Sequence, residues 1–260
     1  MRGRRFVAGT LVTAGLAGCG GHPVPPAPPP PTVTASTASP YEPEAFLAIV
    51  RAAVDEAGVG DDVAQSDVES GEVSFRPCEL FVTEPGRSGD PEVSVDAVWA
   101  GQVEVNAVPS FQAVARPTTV LTVEVAGLAD AATAGAAAGR LRAATCPGGD
   151  FRLRMGLATA RRAAATVTVG ATGARVTTAT VRRVDPESEA GMTYLPGDAR
   201  LFFAYGPLLV SVEALTLWPR HGNSAAEITA MAREKATEVA AAIVTRLPPE
   251  DATDRGTGDD

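Results

Sequence analysis

The chain has 260 residues, 45% of them hydrophobic and 20% charged, with 22 Lys and Arg against 31 Asp and Glu and a formal net charge of −9. That length allows one sizeable core or two small ones, and an acidic total argues against nucleic acid as a partner. Three cysteines and two histidines leave little material for metal or nucleophile chemistry.

The N-terminus begins with Arg2, Arg4 and Arg5 and no acidic residue, followed by a mostly apolar run from Phe6 to Ala17. A run of about a dozen residues is too short to span about 30 Å of hydrocarbon but suits a signal-peptide core. It closes on Leu16, Ala17, Gly18 and Cys19, which resembles the lipobox of bacterial lipoproteins. The resemblance implies a signal peptide over 1–18, with Cys19 acylated and left as the first residue of the mature chain. The alternative is an ordinary secretory signal with a chance cysteine. Arg4-Arg5 ahead of Phe6-Val7 also permits twin-arginine export.

With Cys19 used by lipidation, Cys78 and Cys146 remain, outside the membrane, where disulfides persist. They are expected to pair, the alternative being two separate buried thiols. Two distant cysteines without nearby histidines offer no zinc spacing, and no cofactor is indicated.

Residues 19–40 read as a tether. "GHPVPPAPPPPTVTASTASP" has almost no large apolar group and cannot build a core. As polyproline II, at about 3.1 Å per residue, it would hold a domain roughly 50–60 Å off the membrane. The globular domain is expected over 41–248, and the acidic segment 249–260 as a frayed tail.

Within the domain, "PEAFLAIVRAAVDEAG" puts Phe46, Ile49, Val50, Ala53, Val54 and Ala57 on one helical face, with Gly58 as a stop. From Glu72 the period becomes two. "VSFRPCELFV" and "VSVDAVWAGQVEVNAV" read as strands, the second broken or bulged near Gly101, and "TTVLTVEV" follows with Leu121, Val123 and Val125 inward. An alanine-rich helix from Asp130 to about Thr145 leads to Cys146. "FRLRMGL" resumes strand, and two hairpins turn near Gly170–Gly173 and at Gly206-Pro207. The last helix starts at Ser224, with Glu227 completing a capping box. Its stripe is Ile228, Ala232, Ala236, Val239, Ala240, Ile243 and Leu247, and Pro248 ends it. The order argues for a single α+β domain with a largely antiparallel sheet and about three helices packed on one of its faces.

The helix ending "LRAATC", the strands after it, "LFFAYGPLLVSVEAL" and the closing alanine-rich helix together resemble a group of actinobacterial lipoproteins. These are similar to the extracellular sensor domain of a mycobacterial serine/threonine kinase. The resemblance spans about residues 130–247 and implies a mixed sheet with flanking helices and an open cleft for a ligand. That family has more than one disulfide, whereas this chain has cysteines for one. A PsbP-like lipoprotein layout is the second resemblance. Richness in alanine, arginine and valine beside a single lysine, Lys235, suits a high-GC actinobacterial coding bias.

His22 falls in the tether and His221 in a loop, "WPRHGNS". No G-x-S-x-G elbow, phosphate-binding glycine loop or H-E-x-x-H helix accompanies them. Paired carboxylates remain open as hydrolytic machinery, because their spacing is invisible in sequence. From Arg140 to Arg183 nine arginines face one acid, Asp150. Arg152 and Arg154 alternate on one strand, and Arg175 and Arg182 fall on the neighbouring hairpin. Such a band suits phosphate or carboxylate groups. The competing reading pairs these arginines across the sheet with Glu92, Asp96, Glu104 and Glu124. Trp218 leaves a strand for a Pro/Gly loop, at a cleft rim or folded over the core edge, while Trp99 reads as core.

The sequence therefore reads as a lipid-anchored protein on the extracytoplasmic face of the cell membrane. Its domain would be a non-catalytic, sensor-like module for an envelope lipid, glycan, anionic polymer or protein partner. Arg152, Arg154, Arg175, Arg182 and Trp218 are its candidate ligand residues. The alternatives are an envelope hydrolase using carboxylates and a structural assembly subunit.

Overall fold

Three helices and a nine-stranded antiparallel sheet make up the domain in a computed structural model, which describes residues 41–59, 63–66, 68–82, 90–105, 118–153, 158–184, 194–219 and 223–248. The signal-like segment, Cys19, the tether, Arg154, His221 and the acidic tail lie outside the described residues.

In chain order the elements are α1 (Pro43–Glu56), β1 (Val63–Gln65), β2 (Glu69–Phe75), β3 (Val93–Val105), β4 (Thr118–Gly127) and α2 (Ala131–Ala143). There follow β5 (Asp150–Arg152), β6 (Ala158–Val169), β7 (Thr172–Val184), β8 (Tyr194–Tyr205), β9 (Leu208–Pro219) and α3 (Ala225–Arg246). The strand order is β1-β3-β4-β9-β8-β7-β6-β5, with β2 also on β3. Two tight hairpins drive it. Gly170 and Gly206 take φ of +58° and +52°, the left-handed corner that a two-residue hairpin turn requires, and fix the β6–β7 and β8–β9 registers.

Period-two alternation sends side chains to both sides of this sheet. Leu121, Val123, Val125, Leu201, Phe203, Val210 and Val212 share one cluster with Phe46, Val50 and Val54 of α1 and Ala236, Val239, Ala240 and Ile243 of α3. Ala126, Phe202 and Leu209, one residue out of phase, pack instead with Ala134, Ala137, Ala138 and Leu141 of α2. The helices are thus split, α1 and α3 on one face and α2 on the other. This corrects the expectation of three helices on one face. The reason is in the strands: β8 and β9 are buried at nearly every position, with apolar side chains such as Leu201 and Val210 on one face and Phe202 and Leu209 on the other. A sheet with apolar groups on both faces must be covered on both.

Helix ends follow their signals. Asp130 accepts from the backbone N–H of Thr133 at 2.7 Å, and Ser224 and Glu227 form the reciprocal capping box. Two strands depart from expectation. β2 stops at Phe75, because Pro77 lacks a ladder donor and the chain turns there to bring Cys78 to its partner. The bulge of β3 comes before Gly101, where Ala97 and Ala100 face Gly71 and Glu69. The extra residue switches sides: Val93, Val95 and Ala97 pack with the α2 cluster, while Trp99, Val103 and Val105 join the α1–α3 cluster.

Candidate functional site

The disulfide between Cys78 and Cys146 joins the Arg76–Val82 turn segment to the exit of α2, with the Cα atoms 5.4 Å apart. Arg175 lies beneath this junction at 5% exposure. Its guanidinium donates to the carbonyls of Arg142 at 3.1 Å and Ala144 at 2.6 Å, and to Cys146 Sγ at 3.1 Å, with Nε directed to Thr177 Oγ1 at 3.3 Å. Thr177 in turn donates to the Pro77 carbonyl at 2.7 Å. Arg175 therefore closes the carboxyl end of α2 and ties it to the disulfide corner. Burial lowers its pKa from the ordinary arginine value.

The disulfide-held segment continues over a charged cluster on β8, β9 and β4. Phe81 N–H donates to Glu213 Oε1 at 2.6 Å, and Val82 N–H to Asp198 Oδ2 at 3.1 Å. Arg200 bonds Glu124, donates to Ser211 Oγ at 2.9 Å, and has Nη1 3.9 Å from Glu213. Burial pushes the Asp198 carboxyl well above the usual range, and the neighbouring Glu213 pushes it further. Glu213 is raised by burial too, against the pull of Arg200 and the Phe81 N–H. Burial alone would lower Arg200, but Glu213, Glu124 and Asp198 outweigh it and hold the guanidinium above its ordinary value. Asp198 Oδ1 is buried and has no hydrogen-bond partner among the described residues. Burial beside a second carboxyl favours the protonated form of Asp198.

The opposite face carries an open groove of about 810 Å³. Its floor is Val167 of β6 with Thr178 and Thr180 of β7; its wall is the outer flank of α3, from Ala226 and Ala230 to Ala241. Arg233, Glu234 and Glu238 stand on the rim, all exposed. Small side chains make the groove: no residue of its floor or helical wall is aromatic or longer than valine except those three charges. A second concavity, of about 770 Å³, lies between Tyr41, the start of α2 and the two hairpin tips.

The residues singled out by sequence are dispersed. Arg152 is exposed on β5, in a row with Thr159 and Arg183. Arg182 is exposed and is the unpaired extra residue of a β7 bulge opposite Thr159 and Ala160. Arg175 is buried as described, and Trp218 packs partly buried against the cluster of Leu80, Phe151, Leu153, Leu195 and Ile228. Of the acids expected to pair, Glu92 meets Arg76 and Glu124 meets Arg200, arginines outside the band, while Arg161 pairs with Asp150 and Arg162 with Asp90.

Sequence reasoning missed the carboxyl pair, Arg200 and Arg233. The first two were within reach. A hairpin turning at Gly206-Pro207 pairs Arg200 with Glu213, and polar residues at 198, 200, 211 and 213 alternate with apolar ones on both strands. Arg233 had no such signal, since only the placement of α3 over β6 and β7 makes its flank a wall.

No protein-family model matches the chain, and no curated protein matches it in sequence. Among solved structures, the chain is similar to the extracellular domain of PknH from Mycobacterium tuberculosis. The two share 13% identity with a TM-score of 0.45, over 78% of this chain and 94% of that domain.

Proposed function

We propose that this chain is a membrane-anchored cell-envelope lipoprotein whose domain binds an envelope ligand or partner without catalysing a reaction. The groove along α3 is its binding site. The groove itself carries the reading: an open trough with a small apolar and hydroxyl floor and a single forked cation, Arg233, among its lining residues. With Glu234 and Glu238 beside Arg233 on the rim, that lining suits an extended apolar body with a head that carries both charges, as a zwitterionic envelope lipid has. Export is supported by the Cys78–Cys146 disulfide, which persists in oxidising compartments. Anchoring is assigned to Cys19 on the lipobox-like run Leu16, Ala17, Gly18, Cys19.

A carboxylate hydrolase has one observation in its favour, the raised pair Asp198 and Glu213. Against it, both groups lie under the backbone of Phe81 and Val82, whose N–H groups occupy one oxygen of each. Asp198 has no exposure at all. A general acid must reach its substrate, so we assign the pair to the fold.

The test is native mass spectrometry of the full chain extracted from its own envelope, beside an Ala230→Trp variant. Ala230 is exposed on the groove wall, so the indole fills the trough without entering the core. A lipid or glycan adduct on the first chain and none on the variant supports the reading. An adduct on both, or on neither with no protein cross-linked through the groove in intact cells, overturns it. Cys19→Ser should move the chain from the membrane to the soluble fraction, and retention there would overturn the anchor.

A further inference from the structure

Strand β6 is paired along its whole length with β7, in unbroken register from Ala160 to Val169 once past the Arg182 bulge. On its other side β5 covers only Thr159 to Arg161. Among the described residues, nothing pairs with the outer edge from Ala163 to Val169. That stretch, "AAATVTV", contains no charge, proline or bulge, the devices by which proteins blunt such an edge. Ala163 to Thr166 and Thr168 are exposed, and α3 stands back from the edge by the width of the groove.

We propose that this edge is a self-association surface, and that its occupant is β6 of a second copy, added antiparallel about a two-fold axis through Thr166. A free ladder of N–H and C=O groups is a template that another extended strand can complete. The choice of a second copy rests on charge and symmetry. A chain of net charge −9 repels its own copies over most of its surface, and this uncharged stretch is where two copies meet without that cost. The flanking cations Arg161 and Arg162 are held by Asp150 and Asp90 and face the partner's hairpin tip in this arrangement. Centring on Thr166 uses the whole free edge. It sets Ala163 against Val169, Ala164 against Thr168 and Ala165 against Val167, each small side chain facing a β-branched one. The contact is isologous and closes at two copies. The two sheets join into one, with both α3 grooves on the same face. The inference is independent of what the groove binds.

Cysteine placement tests it, in the full chain carrying Cys19→Ser so that the native disulfide accounts for the remaining cysteines. Thr166→Cys puts two thiols on the axis and should form a disulfide-linked dimer. Ala163→Cys puts them far beyond the roughly 7 Å Cα limit and should give at least about tenfold less. Sedimentation of the chain without added cysteines should show dimer, abolished by Ala165→Lys with melting temperature and circular dichroism unchanged. Equal cross-linking at the two positions, cross-linking at neither, or a monomer at every soluble concentration overturns the proposal.

Discussion

Asp198 and Glu213 stand on adjacent strands under the disulfide-held segment, Asp198 accepting from the Val82 N–H and Glu213 from the Phe81 N–H, and burial disfavours the ionised form of both. Two like charges so placed cannot both ionise at low cost. In the folded chain Asp198 keeps its proton above 3.8, the pH at which an unfolded aspartate loses half of its own. The folded state then binds more protons than the unfolded one, so stability is full below 3.8 and falls as pH rises through the folded value. Glu213, also raised, acts in the same direction.

Asp198→Asn should remove most of this dependence, because an amide at this buried position has no proton to lose as pH rises. Melting curves from acid to neutral pH should converge at the acid end and separate at neutral, the variant being the more stable there. A parallel pair of curves would mean that Asp198 ionises freely in the fold.

Removing the disulfide with Cys78→Ala and Cys146→Ala releases a loop of 68 residues, worth roughly 4 kcal/mol on the chain-entropy model. A second effect should accompany the loss. Freeing the Arg76–Val82 segment lets water reach Asp198 and Glu213, so the pH dependence should shrink as well. Urea unfolding at two pH values separates the two effects. A loss of stability with the pH slope intact would place the cover over the acids elsewhere.

Gly197 is where α3 meets β8 backbone to backbone. A Cβ there would lie 2.5 Å from the Ile228 carbonyl carbon and 2.6 Å from the Thr229 nitrogen. Thr229 Oγ1 donates to the Ala225 carbonyl one turn back in α3 at 2.8 Å and lies 3.2 Å from the Ala179 carbonyl of the neighbouring β7, so the helix sits equally close to that strand. Gly197→Ala should therefore cost about 1–3 kcal/mol, because backbone cannot step aside as a side chain can. Gly139 in α2, with open space around it, is the control: Gly139→Ala should stabilise by up to about 1 kcal/mol. Thermal melts of the two would decide it, and a neutral Gly197→Ala would contradict the close packing.

What was legible in the sequence follows from how local each signal is. Caps, hairpin glycines and the apolar stripes of α1 and α3 act within a few residues, and each formed where it was expected. The Cys78–Cys146 bond was legible by arithmetic, since only two cysteines remained once Cys19 was set aside. The side on which α2 packs was not, because a helix of small residues has no strong apolar face to declare. The arginine band misled for a related reason. Charge density along the chain says nothing of which guanidinium turns inward, and Arg175 turns inward because it follows Ala174 on a strand whose two faces are both covered.

Arg175 and Arg182 are seven residues apart on the same strand, and they should respond to mutation in opposite ways. Arg175→Met leaves the Arg142 and Ala144 carbonyls without their donor at a half-buried corner, which should cost roughly 1–2 kcal/mol. Arg175→Lys restores the charge but not the fork that spans two carbonyls and a sulfur, so it should recover only part of the loss. Arg182→Ala, at an exposed bulge position, should stay within about 0.5 kcal/mol of the parent. Denaturant melts of the three variants rank them directly. If Arg182→Ala were the costly change and Arg175→Met the silent one, the closure of α2 by Arg175 would be wrong and the exposed arginine row would take its place as the structural element.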